Sequence, residues 1–108
     1  MTKIKLYKNP DGFICGFLAS GHASGEQAGS NIYCAAVSAI TQTAAIGLEE
    51  VAKVKTDIKM QSGKLSVMID KKDASNEKCR TIFETMLAGL ASFDEANPNH
   101  IQIIEEVQ

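Results

Sequence analysis

Cysteine is scarce in this sequence, and the pattern of its cysteines excludes two common kinds of cysteine site. The 108 residues include three cysteines, Cys15, Cys34 and Cys79, without regular spacing. An odd, irregular set is not a disulfide framework, and the lack of a Cys-x-x-Cys pair counts against a redox motif. His22, Cys34 and Glu26 do not have the ligand spacing of a zinc site. We therefore expect reduced thiols, and neither a metal nor a cofactor.

An excess of positive charge and long hydrophobic runs are also missing. The sequence has eleven basic and thirteen acidic residues, which gives a net charge of −2 and argues against binding to nucleic-acid backbones. No apolar stretch approaches the roughly 18 residues that a membrane span needs. The first residues alternate as a strand does, so we expect no signal peptide. The sequence predicts a cytoplasmic protein without membrane or nucleic-acid partners.

The remaining composition is that of one ordinary globular domain over residues 1–108, with 44% hydrophobic and 22% charged residues. No repeat, low-complexity segment or linker divides the chain. Alternation predicts strands at residues 4–7, 13–19, 53–60, 65–69 and 101–107. Helical spacing predicts helices at about residues 31–48 and 74–96.

The order ββαββαβ predicts an α+β fold, in which a mixed sheet packs with two helices as an α/β sandwich. The strand order stays open, as does the question whether the helices cover one face or both. The first helix is apolar nearly all round, which predicts a buried helix of small side chains.

The most informative pair of residues is His22 and Cys34. His22 lies in a loop with glycines at positions 21, 25 and 29, and Cys34 lies in the first turn of the first predicted helix. A helix N-terminus or a nearby imidazolium lowers the pKa of a thiol from about 8.5. A loop histidine beside such a thiol suits a base that later donates a proton to a leaving group.

Each of these residues also has an ordinary structural interpretation. Cys34 alone could be a small core residue, and His22 could be solvated. Cys15, in a strand, and Cys79, on the apolar stripe of the second helix, are predicted to be inert core thiols. His100 has no supporting features and is predicted to lie exposed at a strand edge.

Two polar residues flank Cys34 in the first helix. Ser38 follows by four residues and so shares its face, from which it could donate toward the thiolate or a substrate carbonyl. It could equally donate back to the carbonyl of Cys34, as helical serines often do. Ser30 or Asn31 could cap the helix.

The stretch Gly21-His22-Ala23, then Gly29, then Cys34-Ala35-Ala36-Val37-Ser38 resembles the ribosomal-processing cysteine proteases of bacteria called the Prp family. The likeness covers nearly the whole chain in length and in the order of elements. It implies an endopeptidase that removes the N-terminal extension of large-subunit ribosomal protein twenty-seven, cutting after an aromatic residue. It further implies a homodimer and an apolar groove beside Cys34.

The resemblance also assigns roles to individual residues. It makes His22 and Cys34 the catalytic dyad, and it implies a mobile loop that includes Gly21, Gly25, Glu26 and Gly29. The family commonly has an aspartate three residues before the cysteine, where this chain has Asn31. An amide oxygen can orient an imidazole N–H without stabilising its charge, or it can serve only as the cap. Glu26 is a weaker substitute for the missing carboxylate.

Two other functions remain open on the sequence. The chain could be a non-catalytic dimeric module that binds a ribosomal protein or an assembly intermediate, with Cys34 as a buried helix residue. It could also be a thiol enzyme of another reaction type, such as a redox or acyl-transfer catalyst.

Overall fold

The computed structural model describes residues 1–21 and 31–108, with Asn31 defined by its backbone alone. Within these ranges the chain forms five strands, two long helices and one short 3-10 helix. The strands are β1 (Thr2–Lys8), β2 (Ile14–Ser20), β3 (Thr56–Gln61), β4 (Lys64–Ile69) and β5 (Ile101–Val107). The helices are α1 (Asn31–Glu50) and α2 (Glu77–Ala96), and the 3-10 helix spans Lys71–Asp73. The predicted order ββαββαβ is confirmed.

The five strands form one mixed sheet in the order β3-β4-β2-β1-β5. The pairs β1–β2, β2–β4 and β3–β4 are antiparallel, whereas β5 lies parallel to β1. A parallel neighbour needs a crossover connection, and α2 with its flanking turns supplies it between β4 and β5. This order, which the sequence left open, places the starts of β1, β4 and β5 and the ends of β2 and β3 at one end of the sheet.

Both helices lie on one face of the sheet. The buried strand side chains alternate along neighbouring strands, so Ile4 lies opposite Ala19 and Phe17 lies opposite Val67 on the same face. Phe17 meets Phe83 of α2 edge to face, with ring centroids 6.4 Å apart. The buried residues of α1 belong to the same core and α1 packs against α2. The opposite face carries half-buried and exposed side chains such as Leu18 and Lys59.

Helix α1 differs from the prediction in length and in burial. It continues to Glu50, and the backbone N–H groups of Val51 and Ala52 both donate to the carbonyl of Gly47 at 2.9 Å. Lys53 then adopts a left-handed φ of 57°, so β3 begins at Thr56 rather than at residue 53. The helix is also not buried all round, because Ile46 on its outer side is 58% exposed.

Helix α2 begins three residues later than predicted, for a capping reason. The side-chain oxygen of Asn76 accepts hydrogen bonds from the backbone N–H groups of Lys78 and Cys79, at 2.9 and 3.3 Å. These bonds satisfy donors that the first helical turn leaves without partners. The residues before the cap form the short 3-10 helix, and Ala74 is fully buried.

The sequence-based expectation that no apolar segment approaches the length of a membrane span is wrong. One helix meets that criterion in its length and in its composition. Ile32–Glu50 of α1 is long and apolar enough to meet that criterion. In the structure this helix instead packs one side into the core, through Val37, Ala44, Ala45 and Leu48.

Gly16 permits the close approach of β2 and β4 on the open face. A methyl group at Gly16 would lie 2.5 Å from the carbonyl oxygen of Val67 and closer still to the sulfur of Met68. Gly89 of α2 differs, since a methyl group there would lie 3.6 Å from the nearest atom of Ile40, an ordinary contact.

We predict opposite effects for alanine at these two glycines. Gly16→Ala should lower the free energy of unfolding by about 1–3 kcal/mol, because overpacking forces two strands apart. Gly89→Ala should raise it by up to about 1 kcal/mol, because alanine favours the helix. Urea unfolding followed by circular dichroism measures both, and equal stability of the two variants would contradict this account.

Candidate active site

A cavity of about 330 Å³ opens at one end of the sheet, between the strand ends and α1. The start of β1, the end of β2 and the β3–β4 turn supply one wall, and α1 supplies the other. Its lining residues are Thr2, Ala19, Ser20, Gly21, Cys34, Ala35, Val37, Ser38, Thr41, Gln42, Met60, Gln61, Gly63, Lys64 and Leu65. Ala19, Met60 and Leu65 contribute apolar side chains to the strand wall of this cavity. That the cavity is the apolar groove expected beside Cys34 stays a prediction.

Cys34 is the fourth residue of α1 and is half-buried at the cavity wall. The first four backbone N–H groups of a helix have no partner within the helix, and the helix dipole is positive at this end. The first turn of α1 contains no acidic side chain. A thiolate at Cys34 would therefore lie close to the favourable end of the dipole without a competing carboxylate in that turn.

Gly21 lies at the same cavity. It follows β2 with a left-handed φ of 81°, and its N–H donates to the carbonyl of Gly63 at 3.0 Å. The chain leaves β2 at Gly21 and begins α1 at Asn31. The predicted site residues His22, Gly25, Glu26 and Gly29 lie outside the described residues, as does the side chain of Asn31.

Ser38 lies one turn after Cys34 on the cavity wall, and it accepts a hydrogen bond from a side chain in the next turn of the helix. The amide Nε2 of Gln42 donates to Oγ of Ser38 at 2.5 Å. The hydroxyl of the buried Thr41 donates to the carbonyls of Val37, at 3.0 Å, and of Ser38, at 3.2 Å. The bond that the structure shows for the Ser38 side chain is thus with Gln42, rather than with the carbonyl of Cys34.

Three aromatic rings fix the first turn of α1 against the corner before β5. Tyr33 stacks on His100 with ring centroids 3.8 Å apart and an interplanar angle of 11°. Phe93 of α2 meets Tyr33 edge to face at 6.2 Å. Contrary to the prediction of an exposed strand-edge residue, His100 is half-buried in this stack, and its carbonyl accepts from the N–H of Thr2 at 2.9 Å.

Three large side chains, those of Tyr33, Phe17 and Met86, do not line the cavity. Phe17 and Met86 belong to the core, and Tyr33 belongs to the aromatic stack. These large side chains therefore act through packing.

The other two cysteines are buried, as predicted. Cys15 and Cys79 are both free thiols with no exposed surface. Burial raises the pKa of Cys15, against smaller lowering effects of Lys71 and a backbone hydrogen bond. Burial also raises the pKa of Cys79, and the charge of Asp73 raises it further. Both thiols are therefore held in their unreactive, protonated form at neutral pH.

Sequence reasoning missed Gln42, Thr41 and His100. Gln42 carried a usable signal, because it follows Ser38 by four residues in a helix that is otherwise mostly apolar. No signal in the sequence indicated the position of His100, since the stacking of its ring on Tyr33 depends on β5 lying beside β1. Among residues 1–21 and 31–108, no group of three or more His, Cys, Asp or Glu side chains is arranged to hold a metal ion.

Comparison with known proteins supplies a family. The family model of the cysteine protease Prp matches residues 1–102. The chain is similar to the crystal structure of SMU.848 from Streptococcus mutans, with 27% identity, a TM-score of 0.83 and coverage of 100% of this chain and 99% of that one. No curated protein matches the chain by sequence.

A second similar structure is the essential ribosomal processing protease Prp from S. aureus in complex with a substrate peptide. The sequence identity is 21% and the TM-score is 0.85, and the alignment covers 98% of this chain and 100% of the S. aureus chain. At this identity the likeness shows a shared fold. The predicted architecture, a mixed sheet packed with two helices, is therefore confirmed, and these structures share it.

We predict selective alkylation of one thiol in the native protein. At neutral pH iodoacetamide should modify Cys34 at least tenfold faster than Cys15 and Cys79, because burial keeps the reagent away from those two thiols and keeps them protonated. Peptide mapping by mass spectrometry measures each site separately. In urea all three should react at similar rates, whereas equal labelling of the native protein would contradict the assignment.

Proposed function

Since this chain belongs to the Prp family of cysteine proteases, we propose that it removes the N-terminal extension of large-subunit ribosomal protein twenty-seven. In this proposal Cys34 is the nucleophile and His22 is the general acid and base. We further propose that the protein acts in the cytoplasm as a homodimer, on the same resemblance.

The observation that carries this proposal is the shared position of Cys34 and Gly21 at one cavity. Cys34 lines it from the first turn of α1, and Gly21, directly before His22 in the chain, lines it from the end of β2. A base must reach the proton that it abstracts, so the two segments must meet at one site. That Gly21 and Cys34 line one cavity therefore supports a proposal in which Cys34 and the residue after Gly21 act together.

The proposed reaction is acyl transfer through a thioester. The thiolate of Cys34 attacks the carbonyl carbon before the cut, and backbone N–H groups at the start of α1 stabilise the developing oxyanion. As the new S–C bond replaces the C–N bond, His22 protonates the leaving amine. Water, deprotonated by His22, then hydrolyses the thioester and regenerates the thiol.

The similar S. aureus protein supports both the substrate class and the covalent step. It is described as a ribosomal processing protease, and its structures contain a substrate peptide in one case and a covalently linked product peptide in the other. The apolar wall formed by Ala19, Met60 and Leu65 suits a hydrophobic stretch of peptide.

We propose that Asn31 takes the place of the family's aspartate by accepting the imidazole N–H of His22. Asn31 is the first residue of α1 and lies three residues before Cys34. An amide oxygen orients the ring but leaves the positive charge of the imidazolium without a counter-charge. The catalytic step in this chain should therefore be slower than the same fold would allow with a carboxylate.

The alternative of a dimeric binding module keeps one feature in its favour. The cavity could hold a peptide without cutting it, because its walls need no chemistry to bind apolar side chains. The redox alternative has less support, since Cys15 and Cys79 are buried and no second accessible thiol lies among the described residues. Family membership favours the protease over both.

We predict one cut in a peptide that spans the extension and its junction, after an aromatic residue. Mass spectrometry of the products measures the site. Cys34→Ala and His22→Ala should each abolish the cut, because the nucleophile and its base act as one unit. Cys15→Ala, which removes a thiol far from any proposed chemistry, is the matched control and should still cut.

Two outcomes of this experiment separate the protease from the binding module. Loss of cutting in both site variants, with activity retained in Cys15→Ala, supports the dyad. An intact peptide that binds tightly to the wild-type protein supports the binding module. Light scattering of the same samples should give twice the chain mass of 11.6 kDa, and a mass of one chain would contradict the dimer.

We predict that Asn31→Asp accelerates peptide cleavage. A carboxylate would stabilise the imidazolium, and a roughly tenfold higher kcat corresponds to about 1.4 kcal/mol. Asp and Asn cap helices about equally well, so a residue that only caps α1 would not raise kcat, and the added negative charge in the turn that holds Cys34 would lower it. Steady-state kinetics with the junction peptide separates these roles, and an unchanged or lower kcat would refute the orienting role.

A further inference from the structure

One polar stripe runs along the cavity side of α1, and it extends beyond the predicted catalytic residues. Cys34, Ser38 and Gln42 follow one another at intervals of four residues, and all three line the cavity. Helical side chains lean toward the helix N-terminus, onto the residue one turn earlier. Gln42 therefore leans onto Ser38, to which it is hydrogen-bonded, and Ser38 lies one turn after Cys34.

The hydrogen bond within this stripe has a direction that bears on Ser38. Nε2 of Gln42 donates, so Oγ of Ser38 accepts through a lone pair. The proton of the Ser38 hydroxyl must then point away from Gln42. Because Thr41 also bonds to the carbonyl of Ser38, the following turn contacts this residue at both its backbone and its side chain.

Other helical hydroxyls in the chain behave differently. Thr41, Thr43 and Thr85 each donate to the carbonyl four residues earlier, at 3.0, 2.6 and 2.7 Å. This is the usual local bond of a hydroxyl in a helix. Ser38, whose oxygen is engaged by Gln42, is the exception among these four.

We propose that Gln42 is a positioning residue, which by donating to Ser38 turns the Ser38 hydroxyl proton into the cavity and toward the sulfur of Cys34. The inference rests on the proposed function, since it assigns Ser38 a role at the proposed nucleophile. An O–H donated to a thiolate favours the charged form over the neutral thiol. Without Gln42, the Ser38 hydroxyl would return to the usual bond with the carbonyl one turn back.

The test is the pH dependence of Cys34 alkylation, which needs no peptide substrate. Gln42→Met keeps the length of the side chain and removes its donor. We expect the midpoint of the rate profile to rise by about one pH unit, and the rate at pH values well below the midpoint to fall about tenfold. Loss of packing alone would loosen α1 and speed labelling, which is the opposite direction.

A double-mutant cycle shows whether Gln42 acts through Ser38. Ser38→Ala should shift the profile as Gln42→Met does, and adding Gln42→Met to Ser38→Ala should change nothing further. Gln42→Glu is the second variant should Gln42→Met fold poorly, because its carboxylate accepts a hydrogen bond rather than donating one. It should raise the midpoint of the rate profile more in the wild-type background than in the Ser38→Ala background. Gln102→Leu, at an exposed position of β5, is the matched control and should leave the profile unchanged.

Two results would overturn the proposal: an unchanged profile in folded Gln42→Met, or an equal shift with and without Ser38. If the wild-type protein cuts the junction peptide, Gln42→Met should also lower kcat, because it alters the nucleophile as well as the cavity wall. If the wild-type protein does not cut, the proposed function fails while the alkylation cycle still decides the role of Gln42.

Discussion

The stacking of Tyr33 on His100 is the contact on which the geometry of the site depends. Tyr33 directly precedes Cys34, and its ring lies 3.8 Å from that of His100, which precedes β5. Stacked and edge-to-face rings contribute about 0.5–1.5 kcal/mol beyond the area they bury. A helix end otherwise frays, so this contact and the edge of Phe93 hold the first turn of α1, and with it the thiol, in a fixed place.

The sheet order gives that place its surroundings. Because β2 and β3 end where β1, β4 and β5 begin, several strand ends converge opposite the start of α1. Both helices cover the same sheet face, so the cavity has a wall of strand ends on one side and a helix N-terminus on the other. Apolar side chains of the strands and the N-terminal turn of α1 are thus brought to one opening.

The polar stripe of α1 lies on a different side of the helix from the residues that pack into the core. Val37, Ala44 and Leu48 bury one side of the helix, while Ser38 and Gln42 turn toward the cavity. The thiols of Cys15 and Cys79, by contrast, lie in the core with raised pKa values. Position relative to the cavity, rather than residue type, therefore separates a thiol suited to chemistry from two that are inert.

The sequence by itself determined the order of the elements, the family resemblance and the distinction between Cys34 and the two core thiols, because periodicity, glycine spacing and position in a helix are local properties. It erred where distant or fine local contacts decide. The left-handed conformation of Lys53 moves the start of β3 to a later residue, and the cap at Asn76 does the same for α2. Ile46 lies exposed although the pattern of α1 is apolar nearly all round. Only the tertiary structure decided the strand order, the stacking of His100 on Tyr33 and the opening of the cavity between Gly21 and Cys34, since each depends on segments that meet only after the sheet has formed.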